Sequence, residues 1–156
     1  MTPREEVEYV MKTHEATTKL AEYLTAQSNK FKSMFVDWDM SKRLKAVGFD
    51  EPCFAYFWTT KDTFHYTVRY ENHNTTVARV SAPLIHQVID WFDSKKIYID
   101  IDHALGNDWE FTISNGGITS DADDRSFDTR HKAMLAAIDT ALKIVENGYT
   151  SGTLNK

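Results

Sequence analysis

The chain has 156 residues, 42% of them hydrophobic and 13% aromatic, which suits one globular domain with a ring-rich core rather than a disordered chain. Its net charge of −5 is uneven: residues 90–128 hold ten acids against three bases, a net −7, leaving +2 for the rest. That acidic middle would repel a phosphate backbone, so direct nucleic-acid binding is disfavoured, and the single cysteine, Cys53, excludes an internal disulfide or a cysteine zinc cluster.

Thr2-Pro3-Arg4-Glu5 has the capping-box pattern, with Thr2 as N-cap, Pro3 at the first helical position and Glu5 at the third. It predicts a helix over 2–25 whose apolar stripe is Val7, Val10, Met11, Leu20, Tyr23 and Leu24, diluted around 14–18. That stripe either lies on the domain or pairs with another copy of the chain. The first six residues contain no apolar signal region, and no uncharged apolar run approaches the roughly 20 residues a membrane helix needs. A cytoplasmic protein with no membrane partner is expected.

Residues 27–32 read as a polar loop, and a short helix follows Asp37 or Asp39 and ends at Val47. Gly48 stands where a left-handed residue closes a helix, which makes Leu44 and Phe49 the hydrophobic pair of a Schellman ending. Asp50 and Pro52 suit the turn that follows. Cys53–Trp58 carries no charge and reads as a strand buried on both faces, with Cys53 as an inert buried thiol.

Residues 64–70 alternate, with Phe64, Tyr66, Val68 and Tyr70 on one face and His65, Thr67 and Arg69 on the other, as in the second strand of a half-buried antiparallel hairpin. Residues 75–80 supply a third strand. A helix headed by Ser81 or Ala82 as cap follows, its buried face Leu84, Ile85, Val88, Ile89 and Phe92. Ile97, Ile99 and Ile101 alternate with Tyr98, Asp100 and Asp102, and Trp109, Phe111 and Ile113 alternate with Glu110, Thr112 and Ser114, giving two more strands. Asn115-Gly116-Gly117 is a turn before a short edge strand at Ile118. The last helix, from Asp128 or Thr129 to Asn147, buries an alanine-rich stripe, and Gly148 repeats the ending device with Ile144 and Tyr149 as its pair.

The expected fold is α+β. It has a mostly antiparallel sheet of about 4–6 strands in strand–strand–helix units, two helices on one face, and an N-terminal helical extension. The expected organisation is an extension over 1–32, one domain over 33–149 and a loose tail over 150–156.

Leu44-Lys45-Ala46-Val47-Gly48-Phe49-Asp50-Glu51-Pro52-Cys53, together with Ser81-Ala82-Pro83 and Asp90-Trp91-Phe92, resembles a family of small uncharacterised proteins in phages, prophages and mobile elements of gut Bacteroidetes. That family is similar in its GFDEPC-like turn, aromatic hairpin, SAP-headed helix and final alanine-rich helix. The resemblance spans about 39–148 and leaves the 2–25 helix as an extra feature. It implies a phage or mobile-element setting, and its motifs are structural, so it transfers no functional residue.

With two helices on one sheet face, the other face displays His65, Arg69, Tyr98, Asp100, Asp102 and Glu110, the candidate binding surface. Asp100 and Asp102 share a strand face at about 7 Å, from which paired carboxylates can do acid–base chemistry or bind a metal. His103 should point to the opposite side, which breaks the apparent triad. The acid-rich loop over 120–128 resembles a calcium loop but lacks its Gly and Glu. The chain contains no HExxH, GxSxG, GxGxxG or GxxxxGK[ST].

No catalytic, cofactor or metal residue is therefore assigned. The leading expectation is a non-enzymatic accessory protein that binds a protein, in one form a basic protein of the host or its defences. The alternatives are a small metal-dependent hydrolase using the carboxylate pair, and an assembly protein that oligomerises through the N-terminal helix.

Overall fold

The computed structural model describes residues 2–115, 118–121 and 126–148, with the backbone alone at Lys61 and at 118–121. The turn at 116–117, residues 122–125 of the acid-rich loop, Tyr149 and the 150–156 tail lie outside the described residues. The chain divides into two compact units, Met1–Met34 and Phe35–Lys156.

The first unit is one helix, α1 (Pro3–Lys32). Its start is the expected capping box: Thr2 Oγ1 accepts from the Glu5 amide at 3.3 Å, and Glu5 accepts from the Thr2 amide at 2.6 Å. These bonds to Thr2 hold the Glu5 carboxyl below its usual range. The helix runs seven residues past the expected end at Thr25, because Ala26, Gln27, Lys30 and Lys32 are good helix formers and no Gly or Pro interrupts them. Lys30 and Lys32 in the last turn complement the helix dipole.

The second unit is the expected α+β fold. Its elements are α2 (Trp38–Ala46), β1 (Cys53–Trp58), β2 (Lys61–Glu71), a 3-10 turn (His73–Thr75), β3 (Arg79–Ser81), α3 (Ile85–Ser94), β4 (Ile97–His103), β5 (Trp109–Asn115), β6 (Ile118–Asp121) and α4 (Arg130–Glu146). The strands form two antiparallel sheets, ordered β2-β1-β3 and β4-β5-β6, where one shared sheet was expected. β3 has only three residues and pairs with β1 alone, so it does not join the two sheets.

The main core lies between the β4-β5-β6 sheet and the helices. Ile97, Ile99, Phe111 and Ile113 face Val88, Trp91 and Phe92 of α3 and Met134, Ala137, Ile138, Ala141 and Leu142 of α4. Two helices therefore do cover one face, but of this sheet alone. A smaller core, Phe35, Ala55, Phe57 and Ala82, underlies the other sheet. Arg43 of α2 bonds Glu146 of α4 at 2.7 and 2.9 Å and also reaches Asp139. The bond from Arg43 is the main reason the Glu146 carboxyl sits below its usual range.

The Gly48 ending forms as expected. Gly48 has φ +89°, Phe49 N–H donates to Leu44 O at 2.9 Å, and Gly48 N–H donates to Lys45 O at 3.2 Å. Gly148, at φ +78°, repeats its own half of the device by donating to Val145 O at 3.0 Å. Between them, α3 ends on a left-handed Lys96 at φ 61°, which nothing in the residue type announces.

Further expectations are corrected, among them the third strand, which is Arg79–Ser81 and not 75–80 because the 3-10 turn occupies His73–Thr75. In addition, β1 buries one face only. Cys53, Ala55 and Phe57 are buried, while Phe54 is exposed and Tyr56 and Trp58 are half-buried. The 64–70 alternation does not bury Tyr66, Val68 and Tyr70, which are 71%, 95% and 55% exposed. The ladder pairs Ala55 with Tyr66 and Cys53 with Glu71, so Phe54 alone stands opposite residues 67–70, and β2 bulges away from its partner there. Finally, α3 starts at Ile85 with Leu84 as N-cap, because Ser81 is held in the ladder opposite Tyr56.

Candidate functional site

The two sheets separate the six candidate residues. His65 and Arg69 lie on β2, with Arg69 inside the bulge, whereas Tyr98, Asp100, Asp102 and Glu110 lie on the outer face of β4 and β5. On that outer face the register pairs Asp100 with Thr112 and Asp102 with Glu110, and all three carboxylates are exposed. No ion pair joins them to a base among the described residues. The acidic field extends to α3, where burial, Asp90 and Asp100 raise the Asp93 carboxyl above its usual range. His103 pairs with Trp109 on the opposite, isoleucine-bearing side, as expected, so it does not meet the aspartates. Among the described residues, no group of three His, Cys, Asp or Glu side chains is placed to hold a metal ion.

The other sheet carries a different chemistry. Because side chains alternate along a strand, Phe54, Tyr56 and Trp58 share the face of β1 opposite Cys53, Ala55 and Phe57. Neighbouring elements bring further groups onto that face. His65, across from Tyr56 in the ladder, stacks on its ring with centroids 5.5 Å apart at 19°. The Trp58 ring meets Tyr56 edge-on at 5.6 Å, and Tyr70 lies against Phe54 at 4.5 Å. Arg79, across from Trp58 on β3, lays its guanidinium over both Tyr56, at 4.7 Å, and Trp58, at 5.2 Å. Its Nη1 lies 3.6 Å from Glu71.

A buried histidine supports this face from one side. His73 is 2% exposed, its ring lies 4.8 Å from Tyr56, and its Nε2 is 3.0 Å from the Cys53 carbonyl oxygen. A carbonyl only accepts, so Nε2 carries a proton, and Nδ1 lies 3.6 Å from Glu71. Burial pushes the His73 pKa below its usual value, against the pull of the Cys53 carbonyl and Glu71. The turn holding it is clamped. Asn74 donates to Phe49 O at 2.8 Å and accepts from Ser81 N–H at 2.8 Å, and Lys45 donates to the carbonyls of Thr76 and Arg79 at 2.6 and 2.7 Å.

Cys53 is closed to chemistry, as expected. It is fully buried, and burial pushes its thiol up to about 12.

Of this array only His65 was visible as a candidate in the sequence. Tyr56 and Trp58 escape the sequence reading because an uncharged run reads as fully buried, and Arg79 because its place beside them depends on the β1–β3 pairing. The available signal was the composition of the run's two alternating sets. One holds small or fully apolar residues (Cys, Ala, Phe), and the other ends in Tyr and Trp, whose polar tips suit a wet surface.

No family model matches the chain, and neither the curated proteins nor the solved structures give a match. No helix among the described residues is long and apolar enough to cross a membrane.

Proposed function

We propose that the chain is a non-enzymatic accessory protein that acts by protein–protein contact through the ring-bearing face of β1. The observation carrying this reading is the partly exposed array of Tyr56, Trp58, His65 and Arg79, edged by Phe54 and Tyr70. Tyr, Trp and Arg are the residues that dominate binding energy at protein interfaces. Stacking holds these side chains in place before any partner arrives, which lowers the ordering cost of association. The outer face of β4 and β5 adds Asp100, Asp102 and Glu110, an acidic field that favours and steers a basic partner. The resemblance to phage and mobile-element proteins supports a host or defence protein as that partner.

The test is capture from host lysate at low salt on immobilised wild type, Trp58→Ala and an Asp100→Asn, Asp102→Asn double variant. Trp58→Ala should weaken retention of the captured protein at least tenfold, the effect of losing about 2 kcal/mol at a hot spot. The double variant should retain the protein but with a shallower salt dependence. A wild-type column that captures nothing, or a Trp58→Ala column that captures as much as wild type, would refute the proposal.

A further inference from the structure

We propose that α1 pairs antiparallel with α1 of a second copy of the chain. The helix has 30 residues, none of them buried, and at about 1.5 Å per residue it is long enough for several heptads. Its large apolar side chains are open, with Tyr9, Val10, Leu20, Tyr23 and Leu24 each at least 56% exposed. Charge is not spread evenly around it. At about 100° per residue, Arg4, Glu5, Glu8, Lys12, Glu15, Lys19, Glu22 and Lys30 fall within one arc, where Glu8–Lys12 and Glu15–Lys19 pair at 2.8 and 2.7 Å. At the edge of that arc and beyond it, a seam with alternating spacings of three and four runs through Glu6, Tyr9, Thr13, Ala16, Leu20, Tyr23, Gln27 and Lys30.

Charge and size select the direction of pairing. The first turn carries Glu5 and Glu6, and the last turn carries Lys30 and Lys32. A parallel pair sets acids against acids and bases against bases. An antiparallel pair with Glu6 opposite Lys30 sets each acidic end against a basic end, twice by two-fold symmetry, and opposes the two helix dipoles. The same register puts Ala16 opposite Leu20 and Thr13 opposite Tyr23, so a small residue meets a large one at each central layer. The polar layers, Thr13 and Gln27, are the kind that hold one register at some cost in stability.

The test uses the full chain, with mass in solution followed against concentration by sedimentation equilibrium. Wild type should move from 18.0 kDa towards twice that mass as concentration rises. Leu20→Asp should remain a monomer. Glu6→Lys and Lys30→Glu should each weaken association about tenfold, and the double exchange should restore it. A wild type that stays monomeric throughout, a Leu20→Asp chain that still doubles its mass, or a double exchange no better than either single one would overturn the proposal. Capture through the β1 face is a separate readout, so the failure of either proposal is distinguishable from that of the other.

Discussion

Replacing Phe49 with alanine is expected to cost the second unit about 3–5 kcal/mol, the range for deleting a fully buried phenylalanine ring. A domain of this size is stable by only about 5–15 kcal/mol, so the variant should lie near its unfolding threshold. The expectation rests on several roles meeting at one residue. Phe49 is 2% exposed and packs 5.5 Å from Trp91 of α3. Its amide closes the end of α2 on Leu44, and its carbonyl accepts from Asn74, which anchors the turn that holds His73. The backbone bonds survive the substitution, so the loss measures the ring. Urea unfolding of the two proteins compares them directly, and a loss below about 1 kcal/mol would contradict the core assignment.

His73→Ala should cost about 2–4 kcal/mol. Part is the cavity left by a fully buried ring, and part is the Cys53 carbonyl left without its donor. The same residue gives the wild type a pH dependence whose sign is fixed. Folding lowers the His73 pKa, so the unfolded chain takes up the proton more readily. The stabilisation is present above the ordinary histidine value of 6.5 and is lost as pH falls through the folded value. Lowered carboxylates such as Glu146 lose theirs only further down, below about 4.5. Urea midpoints at pH 7.5 and 5 should therefore fall for wild type, and fall less for His73→Ala. Equal pH sensitivity in the two proteins would remove His73 as the cause.

The features legible in the sequence were those that local chemistry decides. The Thr2 capping box and the Gly48 ending each depend on a few neighbouring residues, and each forms, while the alternatives Asp37 or Asp39 and Asp128 or Thr129 resolve to caps at Asp37 and Thr129. The β4–β5 pair was legible because its isoleucines and aromatics alternate with polar residues through an unbroken register. The features that were not legible depend on pairing between distant segments. Residues 64–70 alternate as well as β4 does, but the bulge opposite Phe54 takes 67–70 off the ladder, and no residue in the run signals it. The split into two sheets depends on which strands pair, β3 with β1 and β4 with β5, and pairing between distant segments leaves no local mark in the sequence. The ring-bearing face was half legible. Its residues read as a strand, but which side stays open depends on His65, Arg79 and His73 arriving from other elements.

The most direct measurement of the central claim is site-specific photo-crosslinking in host lysate, with a benzophenone side chain placed at position 70 in one protein and at position 98 in another. Tyr70 edges the ring-bearing face and Tyr98 lies on the acidic face, and both are exposed, at 55% and 47%. Contact through the β1 face predicts a strong protein adduct from position 70 and little or none from position 98. An adduct from position 98 alone would contradict it, and so would none from either position.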